Sequence, residues 1–565
     1  MRRLFSDRVM LSAVLLLTAS LLIGIAQIAI LPPWEGFDET AHFSYIQQLA
    51  EKHVWPGRGD PLSLEVEDYA KVAPMPYSST PPYDDNGHWT YHNFFGSSAE
   101  TIEAGREANY SRHEGPRPWQ PGASPNWQSQ HAPLYYLLLV PFFFLSKTWG
   151  LVNQLFLLRS VSYAFAWIGL CVAVLSARMT AKLMCDRRDD TIFPAMMVLA
   201  PAMWPFIFPA WFPEMARLGN DSLIVLIAAV GWVGLLKLTS SDGGVRQHGF
   251  VGFLCGLGML TKATFLPFTG VVLGFLSFRL WRDRRGTGVL QRRLAGLAAF
   301  IAILIATAGW WYLRKFFETG NVLGSADISK VVDAGGLVKG LTKNGSMATL
   351  VMFARGWLSI VGSFMWSGTW SFVKPPILSI SPFVLMALLV AVAQIDWLRK
   401  SSGDIRWVPV LTLAAFLIGL GYHLAVFIAA YGVWGTPGWY LHSFAPVFAP
   451  ILAMGTATLL RSKLRFPVMA LLFYPLLFIP AVGALEALVY AGCGSKMSTI
   501  NSYDFHSMSS CMMDGNFIYS HLSVVGSPLA GSVLFAVGFV FLALGLWLTV
   551  RPFATALKVG SFSRP

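Results

Sequence analysis

The chain has 565 residues and a formal net charge of +12, with 55% hydrophobic residues and only 13% charged ones. Soluble domains carry about 25% charged residues. Here apolar runs of about 20 residues recur, each able to cross a hydrocarbon core of about 30 Å. A soluble enzyme, a disordered tail protein and a disulfide-rich secreted module are excluded, and an all-α polytopic membrane protein is predicted.

Arg2, Arg3 and Arg8 make the start basic. Residues 9–31 are too long for a signal-peptide core, so they read as an uncleaved first helix with its N-terminus in the cytoplasm. The polar stretch 32–131 holds roughly 14 acidic against about 6 basic residues, the bias of an extracytoplasmic loop. Residues 133–150 are apolar but short and interrupted by Pro141, which predicts a re-entrant or interfacial segment. Spans are predicted at 155–175, 192–212, 222–236, 250–260, 265–280 and 294–312, and a second extracytoplasmic segment at 313–380. Further spans at 382–398, 407–431, 441–460, 466–490 and 528–551 bring the total to about twelve, with both termini cytoplasmic and an external loop at 491–528. Residues 1–460 form one transmembrane module, and 461–565 add the C-terminal helices and their loop.

Short basic clusters separate the spans: Arg187-Arg188, Arg282 to Arg285, Arg292-Arg293, Arg399-Lys400 and Arg461 to Arg465. They set orientation, and without exposed aromatics between them they predict no nucleic-acid partner. Cys171, Cys185 and Cys255 lie in or beside apolar spans as packing residues, whereas Cys493 and Cys511 share the last external loop, where oxidation can pair them. No CxxC or Cys/His spacing for a metal occurs.

The sharpest local feature directly follows the first span: Pro32-Pro33-Trp34-Glu35-Gly36-Phe37-Asp38-Glu39-Thr40-Ala41-His42-Phe43. Adjacent carboxylates at a membrane face repel and lose hydration, so they need partners. Residues 38–52 have helical spacing, with Asp38 at the N-cap position and His42 one turn on. Taken alone, the pair would merely cap and solvate a helix, and Lys262 would snorkel. Other motifs reach the same external face: Gln130-His131-Ala132-Pro133-Leu134-Tyr135-Tyr136, Arg217-Leu218-Gly219-Asn220-Asp221, Thr261-Lys262 and Gly309-Trp310-Trp311-Tyr312-Leu313-Arg314. Charge near membrane depth is costly, so Asp38, Glu39, Asp221, Lys262 and Arg314 on one face mark a site. The pairs His88/His92 and His42/His131 read as hydrogen-bonding groups rather than metal ligands. Trp89, Trp119 and Trp127 give the first loop flat apolar faces suited to sugar rings.

In this order, over roughly residues 9 to 450, these motifs resemble the GT-C superfamily of membrane glycosyltransferases, which includes protein mannosyltransferases and aminoarabinose transferases. Within it, the DExxH form followed by a Pro-Leu-Tyr segment is most similar to an uncharacterised family of bacterial membrane proteins. The resemblance implies a GT-C-like fold in the cytoplasmic membrane and transfer of a sugar from a polyprenyl-phosphate donor to a hydroxyl of a glycan, lipid or protein on the extracytoplasmic side. Asp38 would be the general base, with Glu39 orienting it or holding a metal. Lys262, Arg314 and Arg217 would meet the donor phosphate. Asp221 would be a second acid or acceptor anchor, with His42 and His131 nearby. A hard ion such as Mg²⁺ or Mn²⁺ between Asp38 and Asp221 is left open. Related sequences have Gly-Arg-Tyr where this chain has Gly438-Trp439-Tyr440, so Trp439 and Tyr440 become sugar-stacking candidates. The rival class, a transporter or flippase, predicts charges leading to both faces and an inverted repeat, and no repeat is visible. Oligomeric state has no signal in the sequence.

Overall fold

The structure is a computed structural model that describes residues 2–77, 89–111, 118–184, 191–241, 243–283, 287–343, 345–400, 403–493 and 511–560. His88, Cys185, Arg187, Arg188, Arg284 and Arg285 lie outside the described residues. The protein is an all-α polytopic membrane protein, and eleven helices among the described residues are long and apolar enough to cross a bilayer. A small antiparallel ribbon, Pro61–Ser63 with Pro121–Pro125, ties the first loop together.

One predicted span, 192–212, is shorter than expected, and another, 250–260, is longer than expected yet still short for a bilayer. Ile192–Ile207 has 16 residues with Pro201 and Pro205 inside, and Val245–Met259 has 15. At 1.5 Å per residue, these reach only about 24 Å. Leu134–Ser146 has 13 residues, in keeping with the partial insertion expected of 133–150. Conversely, the predicted external segment 313–380 contains Ser346–Met365, a 20-residue helix of mean hydropathy 1.4 that is long enough to span. Arg355, Gly356, Ser359, Gly362 and Ser363 dilute its hydropathy, which is why the sequence reading took it for a loop.

The first helix, Arg2–Ile30, packs antiparallel against Pro528–Gly560 along Gly531, Gly538 and Gly545, which recur every seventh residue. A Cβ at Gly538 would sit 2.9 Å from Ile23 Cγ1, and one at Gly545 2.9 Å from Leu16 Cγ. The seam thus requires small residues, as close membrane helix pairs do. Ser12 Oγ donates to the Gly545 carbonyl at 2.7 Å, and Ser527 N–H donates to the Ala29 carbonyl at 2.7 Å. Residues 2 and 560 therefore share one end of the bundle.

Ile30 marks the other end, where the site assembles. Leu151–Met184 runs antiparallel to the first helix, placing Arg159 against the Leu31 carbonyl and Trp167 against that of Leu17. Asp221–Ser240 runs parallel to it, with Ser222 against Ser162 and Trp232 against Thr180. Residues 31, 159 and 221 so converge. Cys493 and Cys511 form a disulfide at this end, where Cys493 packs with Leu31, Tyr91 and Val525. The opposite end carries the exposed pair Arg282–Asp404 and the pair Arg293–Asp283.

Candidate active site

Between Ile30 and the interfacial helix Glu39–Lys52 the chain reverses sharply. Trp34 (φ 68°) and Asp38 (φ 60°) adopt the left-handed conformation, which costs a non-glycine residue about 1–3 kcal/mol unless its surroundings hold it. Asp38 occupies the predicted N-cap position, but its carboxylate makes no capping bond. Its Oδ1 instead accepts from Trp127 Nε1 at 2.8 Å. Asp38 is half-buried and lines a cavity of about 2320 Å³, together with His42, His131, Arg217, Lys262, Trp439 and Tyr440.

Behind that wall is a buried charge network. Lys262 Nζ donates to Asp221 Oδ2 at 2.8 Å and lies 4.5 Å from the Tyr440 ring centre. Arg217 pairs with Glu214 and, at 3.2 Å, with Asp221, while its Nη1 donates to the Phe37 carbonyl at 2.9 Å. Ser443 Oγ donates to Asp221 Oδ1 at 2.9 Å. Both Asp221 oxygens are engaged and Asp221 does not line the cavity, so it positions Lys262 and Arg217 rather than meeting a ligand.

Glu39, expected beside Asp38 as a catalytic group, points the other way. Its oxygens take Arg159 Nη2 at 2.5 Å and Nε at 2.7 Å, and the backbone N–H groups of Trp34 and Leu218 at 3.2 and 3.0 Å. Arg159 also donates to the carbonyls of Leu31 and Pro32, at 2.5 and 2.8 Å. This is a structural clamp that locks the reversal. Arg314 is likewise corrected: it pairs with Glu318 and lies 5.3 and 5.6 Å from the rings of Trp55 and Trp311, outside the cavity wall. Successive helical residues differ by about 100°, so its neighbour Lys315 lines the cavity instead, donating to the Ser129 carbonyl at 3.1 Å.

His42 and His131 stack with ring centres 6.5 Å apart, and His42 Nδ1 is 2.9 Å from the Tyr136 hydroxyl. Burial, reinforced by nearby Lys262, holds the His131 ring down at about 3. Burial, with Arg217 beside it, holds His42 well below the usual imidazole range. Both rings are therefore neutral at neutral pH. Trp439 stacks flat on Phe37 at 4.5 Å and 8°, which covers one of its faces. Tyr440 lines the cavity beneath the Lys262 ammonium.

A divalent ion between Asp38 and Asp221 does not fit this donor set. Asp221 is already bound by two cations and a hydroxyl, and Glu39 is bound by Arg159. Among the described residues, no group of three or more His, Cys, Asp or Glu could hold a metal ion. The sequence reading also missed Arg159, Glu214, Lys315 and Ser443. Arg159 was detectable, because a cation near the start of a largely apolar helix, about five turns or more from Arg178 and Lys182 at its far end, needs a partner.

No family model matches the chain, and no curated protein matches it. Among solved structures, it is similar to ArnT from Cupriavidus metallidurans bound to undecaprenyl phosphate, at 12% identity over 95% of this chain and 78% of that one, with a TM-score of 0.45. It is also similar to the oligosaccharyltransferase of Archaeoglobus fulgidus in complex with Zn and sulfate, at 15% identity and a TM-score of 0.38. That match covers 82% of this chain and 52% of the other, about half the length of the oligosaccharyltransferase. A further structure of the archaeal enzyme, AglB with an inhibitory peptide and a dolichol-phosphate, matches at 13% identity over 91% of this chain and 56% of that one, with a TM-score of 0.31. ArnT and AglB are both members of the GT-C superfamily, which the motifs around Asp38, Asp221 and Lys262 resemble.

Proposed function

We propose that this chain is a membrane glycosyltransferase that moves a sugar from a polyprenyl-phosphate donor to a hydroxyl acceptor. The observation that carries this reading is the shared wall of one large cavity: the half-buried Asp38 carboxylate, with only its Oδ1 engaged among the described residues, faces the same space as Lys262 and Arg217. The acceptor oxygen attacks the anomeric carbon while Asp38 takes its proton. The bond from that carbon to the phosphate oxygen breaks, and its electron pair leaves with the lipid phosphate. Lys262 and Arg217, held by Asp221 and Glu214, stabilise that departing charge. Preorganised cations of this kind are often the largest catalytic contribution, and a base within about 2.6–3.2 Å of the hydroxyl supplies the rest. The leaving group is already acidic, so no general acid is needed.

The cavity end faces the extracytoplasmic side in this reading. Basic residues gather at the opposite end, as the positive-inside rule requires of cytoplasmic loops, and the disulfide suits an oxidising compartment. The test is release of polyprenyl phosphate from a panel of polyprenyl-phosphate sugars by purified protein and by Asp38→Asn. Release that depends on Asp38 is expected. No release from any donor by folded protein, with and without candidate acceptors, would move the assignment to a transporter of such lipids.

A further inference from the structure

A second cavity of about 320 Å³ opens between the first helix, Pro475–Tyr490 and Pro528–Gly560. That volume is at the lower end of the range for small-ligand sites and has room for about ten water-sized groups. Its wall is apolar, including Ile23, Phe212, Phe478 and Phe535, apart from a few polar side chains led by Gln27 and Glu486. Gln27 Nε2 donates to Glu486 Oε2 at 2.8 Å. Glu486 is 1% exposed, and its Oε1 has no hydrogen-bond partner among the described residues. A buried carboxyl oxygen left unpaired forfeits its hydration without recompense, and intramembrane acids are rare enough to signal a function. Trp366 lines both this cavity and the large one, so it is the partition between them.

We propose that this cavity is a lipid site for a single-chain amphiphile bearing a hydroxyl, with the chain among the apolar helices and the hydroxyl on Glu486 Oε1. A hydroxyl both donates and accepts, so it satisfies Glu486 in either protonation state, whereas an alkane leaves the oxygen unpaired. Gln27 and Glu486 lie about one helical turn from Ile30 and from Tyr490, which places the hydroxyl near the hydrocarbon edge where such headgroups lie. This assignment stands apart from the proposed transfer reaction.

The test uses the full chain in lipid nanodiscs and a photoreactive dodecanol, with the matching photoreactive dodecane as control. Several-fold stronger labelling of the peptides around residues 23–30 and 478–487 by the alcohol is expected. Glu486→Leu should reduce that labelling to the level of the alkane, while Glu486→Gln, which can still donate and accept, should keep most of it. Equal labelling by alcohol and alkane would overturn the site, as would labelling indifferent to Glu486→Leu. A photoreactive farnesol arm separates an isoprenoid occupant from a straight-chain one. Should Glu486→Leu fail to fold, dicyclohexylcarbodiimide treatment of the wild type gives the same decision. A mass adduct on Glu486 that dodecanol suppresses is expected, and absence of the adduct or of protection would overturn the proposal.

Discussion

At the Ile30 end of the bundle, Glu39, Arg159, Arg217, Asp221 and Lys262 are all more than nine-tenths buried, and each has two or more partners. At the opposite end, Arg282 and Asp404 form their pair with both side chains 44% exposed. The physical demands differ accordingly. Charge taken out of water costs several kcal/mol per ion and survives only with good geometry and extra hydrogen bonds. Exposed charge is screened by solvent and salt and needs no such partners. Asp38 belongs to neither class. It sits at the buried end, yet it lines the open cavity, and that contrast with Glu39 one residue later separates a carboxylate facing the cavity from one locked into the fold.

The largest effect should come from the clamp. Arg159→Met leaves the buried Glu39 carboxylate without its counter-charge, with an expected cost of about 3–5 kcal/mol. Little folded protein should survive detergent extraction, as judged by size-exclusion profile and thermal midpoint. Near wild-type stability would break the assignment of Glu39 to structure. Asp38→Asn should separate the two roles. The amide oxygen can still accept from Trp127, so the thermal midpoint should hardly move, while donor turnover falls by about 10²–10⁴, the usual contribution of a general base. A large stability loss in that variant would place Asp38 with Glu39 instead.

Acid should affect the buried end first. His131 is held at about 3 in the folded protein against about 6.5 unfolded, so the unfolded chain binds more protons between those values. Stability is then complete above pH 6.5 and is lost as pH falls below it, by at most about 1.4 kcal/mol per unit for this residue. His42 acts in the same direction. His131→Gln should flatten the fall in thermal midpoint between pH 6.5 and 5. An unchanged slope would mean that other groups carry the acid sensitivity.

The helical, many-span architecture was legible in composition and run length, because hydrophobic length is a direct physical requirement of the bilayer. Asp38 and Lys262 were legible as charges near a membrane face, and Arg217 as part of the Arg217-Leu218-Gly219-Asn220-Asp221 motif. What failed was direction. Asp38 and Glu39 are adjacent in sequence, but the left-handed backbone at Asp38 turns one carboxylate to the cavity and leaves the other on Arg159, 120 residues away. Arg314 and Lys315 exchanged places for a similar reason, one step around a helix. Ser346–Met365 escaped because glycine and serine weaken its apolar signal without shortening it.

The smallest effect sharpens the comparison from the exposed end. Arg282→Ala, Asp404→Asn and the double variant form a cycle in which the pair should contribute about 0–1 kcal/mol, since solvent screens both partners and fixing two side chains costs entropy. The coupling should shrink further as salt is raised from 0.05 to roughly 0.5 M, where the screening length falls below about 5 Å. Thermal midpoints of the four proteins measure it. A coupling comparable to that of Arg159 with Glu39 would mean that the two ends hold their charges by the same means, and burial would no longer separate strongly held charge from weakly held charge in this fold.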